Sequence, residues 1–360
     1  MAQMTRRAFL VNAAGAAAIA SLGCAGLAGC SGNSGDAGKT EDQAPKTRTI
    51  TDMVGREVEI PAEVKTIATF GSVGVLNAFV ECMGKGDLLA NEMPASFTKS
   101  GKWAMQYKFA PQIKDAPLLE TADGIDMEAT LKLAPDLCIT MMEDMAQQLE
   151  ENGLATIVLT WNDTEDVKTA VTLMGDVLGA EDRASEYNQY FDDMVKKASD
   201  TTKDLPDADR KSVIYGDVEA LKNPHIISEW WIAAAGGKSV TKDDHKKNSL
   251  EYTREQLLSW QPEVIFSSNT DTAAIYADAN IADLPAVKDK QIFVVPTVAH
   301  VWGNRTVEQP LTVMWAMNRM YPKLYAESDL KKDIRDFYQR FFEYNMSDDE
   351  LDSIVNYAAK

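Results

Sequence analysis

The chain of 360 residues holds only three histidines, His225, His245 and His300, and no two are neighbours in sequence. A bare zinc or manganese ion bound by about three imidazoles and a carboxylate would need all of them, so a free-cation site is not expected. No Gly-x-Ser-x-Gly nucleophile elbow, His-Glu-x-x-His helix or phosphate-binding glycine loop occurs, and Phe70-Gly71-Ser72-Val73-Gly74 lacks the first glycine of the elbow. Cysteine is equally sparse. Two of the four fall in the first thirty residues, while Cys82 lies in an apolar helical pattern and Cys138 in an apolar strand pattern. That placement predicts two buried thiols rather than a disulfide framework. Basic residues are outnumbered, 36 Lys and Arg against 55 Asp and Glu, for a formal charge of −19. A field of that sign repels nucleic acid and anionic headgroups, which excludes both as partners.

Long apolar runs are missing beyond the N-terminus, where Arg6 and Arg7 precede the run from Ala13 to Leu27, closed by Leu27-Ala28-Gly29-Cys30. The paired arginines resemble the twin-arginine form of an export signal, and the last four residues resemble a lipobox whose cysteine is lipidated. Cys24, after Ser21-Leu22-Gly23, fits that pattern less well. The run is shorter than the roughly 20 residues of a spanning helix. Residues 1–29 therefore read as a removable signal, and Cys30 as the lipidated start of an extracytoplasmic, membrane-anchored protein of charge about −21. Residues 30–47 are small and polar and read as a disordered tether, with an r.m.s. span of roughly 20 to 25 Å.

Met127 to Thr140 aligns without a gap on Arg254 to Ser267. Each copy predicts a short helix, a Pro and an acidic residue that stop it, and a four-residue apolar strand, with Asp126 and Thr253 as N-caps. Other strand-like runs are Val58 to Ile60, Thr66 to Phe70, Thr156 to Leu159, Ser212 to Tyr215 and Ile292 to Val295. The pattern implies two similar α/β lobes, mostly parallel sheets flanked by helices, over residues 48–180 and 205–360. Between them Asp163 to Leu178 and Glu181 to Lys203 read as helices. The second, with its surroundings at 181–204, forms a single connection about 35 Å long that permits little hinge motion. Ser328 to Tyr344 and Ser347 to Ala358 read as terminal helices.

In order and spacing, Ile50 to Pro61, Glu128 to Ile139, Trp230 to Gly237, Glu255 to Phe266, Leu284 to Pro296, Tyr321-Pro322 and Phe337-Tyr338 resemble one family. It is that of the lipid-anchored substrate-binding proteins of ABC importers for iron–siderophore complexes, haem and cobalamin, with two lobes joined by one long helix. The resemblance implies a monomer without enzymatic activity or intrinsic cofactor. It would capture an iron–siderophore complex, or as the alternative cobalamin or haem, and pass it to a permease dimer served by a cytoplasmic ATPase. It further implies that Glu128 and Glu255, each opening a repeated helix, pair with permease arginines. An extracytoplasmic hydrolase and a ligand sensor are the rival classes.

A cleft between such lobes is built from loops after strands. Candidate ligand contacts are Ser72, Trp103, Tyr107, Met141, Met142 and Trp161 from the first lobe. The second offers Tyr215, Trp230, Trp231, Asn269, His300, Trp302 and Arg305. Several aromatics at loop positions suit a large planar or apolar chelate. Arg305 has the planar fork for a carboxylate or chelate oxygen, with a salt bridge to Glu308 as its alternative. His300 could ligate a metal or serve as a plain hydrogen-bonding residue.

Overall fold

The computed structural model describes residues 46–160 and 163–357. The export signal, Cys30, nearly all of the tether and Trp161 lie outside the described residues. The chain enters through an antiparallel hairpin of β1 (Thr47–Thr51) and β2 (Glu57–Pro61), so pairing already begins at Thr47, the residue expected to end the tether. The hairpin is tied inward by the Asp52 carboxylate. This group accepts bonds from the Arg56 guanidinium at 2.7 and 2.9 Å and from the Val158 N–H at 3.0 Å. A buried carboxylate with that many donors is satisfied, which explains the Asp and Arg of the entry motif.

The first sheet is parallel, in the order β3 (Ile67–Thr69), β4 (Leu137–Thr140), β5 (Thr156–Val158). All of its residues are buried, as apolar strands covered on both faces require. Helix α1 (Val73–Cys82) leaves β3 and is buried along its length, and α2 (Met127–Leu133) leads into β4. After β5 come α3 (Thr164–Leu178) and the long α4 (Glu181–Thr202). The second lobe opens with β6 (Ser212–Gly216), α5 (Ser228–Ala234) and β7 (Lys238–Ser239). It continues with α6 (Arg254–Trp260), β8 (Val264–Ser267) and β9 (Ile292–Val294), giving a parallel sheet of order β7-β6-β8-β9.

The internal repeat is structural. After α2 the chain turns through Ala134 at φ 50°, and after α6 through Gln261 at φ 47°, each followed by proline and an acidic residue. Asp136 then accepts from the N–H groups of Lys65 and Thr66 at 2.8 and 3.0 Å, just before β3. Glu263 accepts from the Ser212 N–H at 2.9 Å, at the start of β6. The same acid in each copy thus pins the preceding strand of its own sheet.

The connecting helix α4 is no bare rod. Ala184, Tyr187, Tyr190, Phe191, Met194 and Ala198 are buried, and the Tyr187 hydroxyl donates to the Val307 carbonyl at 2.6 Å. Its apolar face lies under α7 (Gln309–Met320) and α8 (Glu327–Phe341), with Tyr187 against Phe341 at 5.5 Å between centroids. Helix α8 stops short of the expected Tyr344, and α9 (Asp348–Val355) opens on the expected Ser347 and Glu350 capping box. Cys82 and Cys138 are buried and unbonded, and burial pushes the Cys138 thiol up to about 12.

A buried chain of polar side chains runs from the first sheet into the second lobe. Thr69 donates its hydroxyl to Asn77 at 2.7 Å, and the Asn77 amide donates to Gln106 at 3.0 Å. The Gln106 amide donates in turn to the carbonyls of Gly74 and, at 2.7 Å, of Ala299. Each of these residues is at most 1 % exposed, so an unmade bond here would be costly. The lobes are latched as well as linked.

Candidate functional site

Two cavities open between the lobes at the carboxyl ends of the strands. The inner one, about 180 Å³, is lined by Lys102 of the first lobe and by Tyr215, Ser268, Thr270, Thr297 and Asn304 of the second. The outer one, about 470 Å³, shares Lys102, Thr270, Thr297 and Tyr357 with it and adds Ser100, Met105 and residues of α9.

The inner wall depends on close backbone approach. Tyr215 ends β6 in the core, and its hydroxyl donates to the Asn304 side chain at 3.2 Å. Its ring lies over Gly303, where a Cβ would come within 2.3 Å of the hydroxyl oxygen, so any larger residue there would push the tyrosine aside. Across the cleft, Phe97 and Trp103 fold onto Gly74 of α1, where a Cβ would meet them at 2.8 and 3.0 Å. Trp103 thereby reaches His300, 6.4 Å away between ring centres.

Arg305 stands on the second lobe beside Asn304. Its Nε donates to His225 Nε2 at 3.0 Å and its Nη2 to Asn248 Oδ1 at 3.2 Å. The Ile227 N–H also approaches His225, at Nδ1, 3.3 Å away. A neutral imidazole has one lone pair to offer, so these two donors compete and the hold on Arg305 is easily released. The alternative salt bridge to Glu308 does not form. Glu308 is fully buried and accepts from the N–H groups of Ala299 and His300 at 3.0 and 2.7 Å, and from the Tyr338 hydroxyl.

The electrostatics follow from burial and cationic neighbours. Burial brings the Arg305 guanidinium down to about 10, against the pull of Asp163 and Asp166 at the start of α3. Burial, then Arg305, His300 and His245, bring His225 down to about 3, and burial alone brings His300 to about 4. Both imidazoles are therefore neutral near pH 7, and His300 Nδ1 has no partner among the described residues. Neither Arg305 nor Lys102 forms an ion pair among the described residues. Lys102 lines both cavities and Arg305 stands beside the cavity-lining Asn304, with Asp163 and Asp166 near enough to act on its charge.

The sequence-predicted contacts divide. Tyr215 lines the inner cavity, whereas Trp103 and His300 pack against each other and Arg305 holds to His225, and none of these three lines either cavity. Trp231 and Trp302 are fully buried, with Trp231 donating to the Gly303 carbonyl at 3.3 Å, so they build the core beneath the site and offer no ligand platform. Trp230 stacks on Phe191 of the connecting helix at 5.8 Å. The Asn269 amide donates to Glu219 at 3.0 Å and turns from the cavity that its neighbours Ser268 and Thr270 line. Tyr107 donates to Glu92 at 3.3 Å, and Ser72 starts α1; neither lines these cavities. Met141 and Met142 follow β4, with the Met142 sulfur packed over Gly71. Thr270 and Tyr357 escaped sequence reasoning, whereas Lys102 lies in the loop from Asn91 to Pro117 and Thr297 and Asn304 in the segment from Thr297 to Arg305, both loops of the kind expected to build the cleft.

The Periplasmic binding protein family matches residues 94–299, more than half of the chain, and the protein belongs to that family. It is an extracytoplasmic solute-binding protein of the ABC-importer class and not an enzyme. Among curated relatives, the molybdate-binding protein MolA of Haemophilus influenzae is 24 % identical over 84 % of this chain and 90 % of its own length. The iron(3+)-hydroxamate-binding protein YxeB of Bacillus subtilis is 27 % identical over 43 % of this chain and 46 % of its own. Solved structures share the fold. A periplasmic solute-binding protein of Veillonella parvula superimposes with TM-score 0.74 at 23 % identity, covering 86 % of this chain and 97 % of that one. Molybdate-bound MolA superimposes with TM-score 0.72 at 21 % identity, covering 83 % and 99 %.

Proposed function

We propose that the protein captures an anionic metal species, a metal oxyanion or a negatively charged metal chelate, and delivers it to an ABC permease dimer and its ATPase. The carrying observation is Arg305, a half-buried guanidinium next to the cavity-lining Asn304, whose hydrogen-bond partners among the described residues, His225 and Asn248, are neutral. In a chain of net charge −19, Lys102 and Arg305, without an ion pair among the described residues, make this region less negative than its surroundings, which favours entry of an anion. A guanidinium presents several donors to oxyanion edges, and Lys102 with the Tyr215, Ser268, Thr270 and Thr297 hydroxyls adds more. The likeness to MolA over most of the chain supports a metal oxyanion, and the partial likeness to YxeB supports an iron–siderophore complex. Haem and cobalamin are less well supported, since the buried Trp231 and Trp302 remove much of the expected aromatic wall.

In this reading Cys30 carries the lipid anchor, the tether lets a monomeric binding domain reach the permease, and Glu128 and Glu255 dock it. Both glutamates are exposed on the first turn of the repeated helices, behind the Asp126 and Thr253 caps, and neither lines a cavity. Titration calorimetry of the purified protein with molybdate, tungstate, sulfate, ferric catecholate, ferric hydroxamate, haem and cobalamin tests the ligand class. One-to-one binding of an anionic metal species is expected; binding of haem or cobalamin alone would refute it.

A further inference from the structure

We propose that His225 and Asn248 form a parking place for the Arg305 side chain, from which the guanidinium swings to an anion in the inner cavity, so that these two residues set affinity without touching the ligand. The inference rests on the reading that an anion is bound within reach of Arg305, and names what competes with it for the guanidinium. Arg305 lines neither cavity, although it follows Asn304, which lines the inner one. Its backbone is fixed on both sides. The Gln309 amide donates to the Asn304 carbonyl at 2.7 Å, and the buried Thr306 donates its hydroxyl to Glu308 at 3.2 Å. Approach to a ligand is therefore a rotation of the long side chain about its own bonds, between staggered rotamers.

The parking place is firm, while the hold of the arginine on it is weak. The fully buried Asn223 side chain accepts from the His225 N–H at 3.1 Å, and the Ile226 N–H donates to the Asn248 carbonyl at 2.7 Å. The Glu229 carboxylate of α5 accepts from the Thr241 hydroxyl at 2.7 Å and pairs with His245 at 2.8 Å, which ties down the chain between β7 and Asn248. Arg305 itself has one bond to a neutral imidazole and one to a neutral amide, at 3.0 and 3.2 Å. The imidazole bond is contested. When Nε2 accepts from Arg305, the His225 proton sits on Nδ1 and faces the Ile227 N–H, 3.3 Å away, so two donors meet. Departure of the guanidinium lets the proton occupy Nε2 and leaves Nδ1 to accept from Ile227, which relieves that conflict. Asp163 and Asp166, at the start of α3, pull on the same charge from the first lobe. A guanidinium bonds an anion roughly twice as strongly as a neutral group, so an anion in the inner cavity draws Arg305 off its neutral partners.

The test reads the His225 tautomer by nitrogen NMR, which three histidines keep simple, and affinity by calorimetry, both on the full chain. The probes are molybdate and a gallium(III) catecholate, the diamagnetic counterpart of the ferric complex. The imidazole proton should sit on Nδ1 in the natural protein, and on Nε2 in Arg305→Met and after addition of whichever probe binds. Asn248→Ala and His225→Phe should each bind that probe about 2- to 10-fold more tightly, because less of the arginine is parked. Neither change should alter affinity in an Arg305→Met background. Asn248 is exposed and bonds Ile226 through its backbone alone, so Asn248→Ala keeps the test open if His225→Phe does not fold. The same tautomer in the natural protein and in Arg305→Met would overturn the parking contact. A bound probe that leaves the tautomer unchanged, or variants that bind it no more tightly than the natural protein, would overturn the swing. Binding of neither probe would overturn the anionic reading, and the proposal with it.

Discussion

Replacing Gln106 with Leu tests how tightly the lobes are held. The substitution places a branched apolar side chain, one atom shorter, in the same space and removes the amide that donates to the Gly74 and Ala299 carbonyls and accepts from Asn77. Gly74 lies in α1 and its carbonyl keeps a helical partner, which leaves two groups exposed to the full penalty: the Ala299 carbonyl and the Asn77 amide. A buried polar group without a partner costs about 1 to 3 kcal/mol, so a loss of about 2 to 6 kcal/mol is expected for the two, reduced if water enters. Urea unfolding should show a lower midpoint with an unchanged slope, since the surface exposed on unfolding stays the same. Hydrogen exchange should quicken around Ala299 on one lobe and Asn77 on the other. A loss below about 1 kcal/mol, or exchange confined to one lobe, would refute the idea that this chain of polar groups joins them.

Glu81 is buried with neither carboxylate oxygen bonded among the described residues, and burial with the nearby Glu308 pushes its carboxyl well above the usual range. A raised folded value favours the fold at low pH and is lost as pH rises, so Glu81→Gln, which resembles the protonated acid, should raise the melting temperature at pH 8 and change it little at pH 4. Replacing Glu128 and Glu255 together with Ala should leave ligand affinity intact, nearly abolish uptake by whole cells and cost each helix no more than about 1 kcal/mol; normal uptake would reduce both to dipole-complementing residues. Cys30→Ala should free the protein from membranes while Cys24→Ala should not, as read by fractionation.

Much of the fold was legible because parallel strands buried on both faces leave short apolar runs between breakers. Leu137 to Thr140 and Val264 to Ser267 stand out for that reason, and the Pro and acidic residue before each proved to fix the neighbouring strand. Caps written in local sequence, Asp126, Thr253 and Ser347, also hold. The site was read less well. A tryptophan after a strand looks the same in sequence whether it lines a cleft or the core below it, and Trp231 and Trp302 went to the core. Tyr357 reaches the cleft only because α8 and α9 bring the chain back across both lobes, a long-range placement that no local pattern encodes. Gln106 had no signal either, because its partners lie 29, 32 and 193 residues away.

The most direct measurement is the dissociation constant of the best-binding anionic metal species for the natural protein and for Arg305→Met, each at low and high salt. A charge-assisted hydrogen bond contributes about 1.5 to 3 kcal/mol, so the variant should bind roughly 10- to 100-fold more weakly, and its affinity should depend less on salt. Affinity within twofold of the natural protein, with the same salt dependence, would contradict an anion site at Arg305.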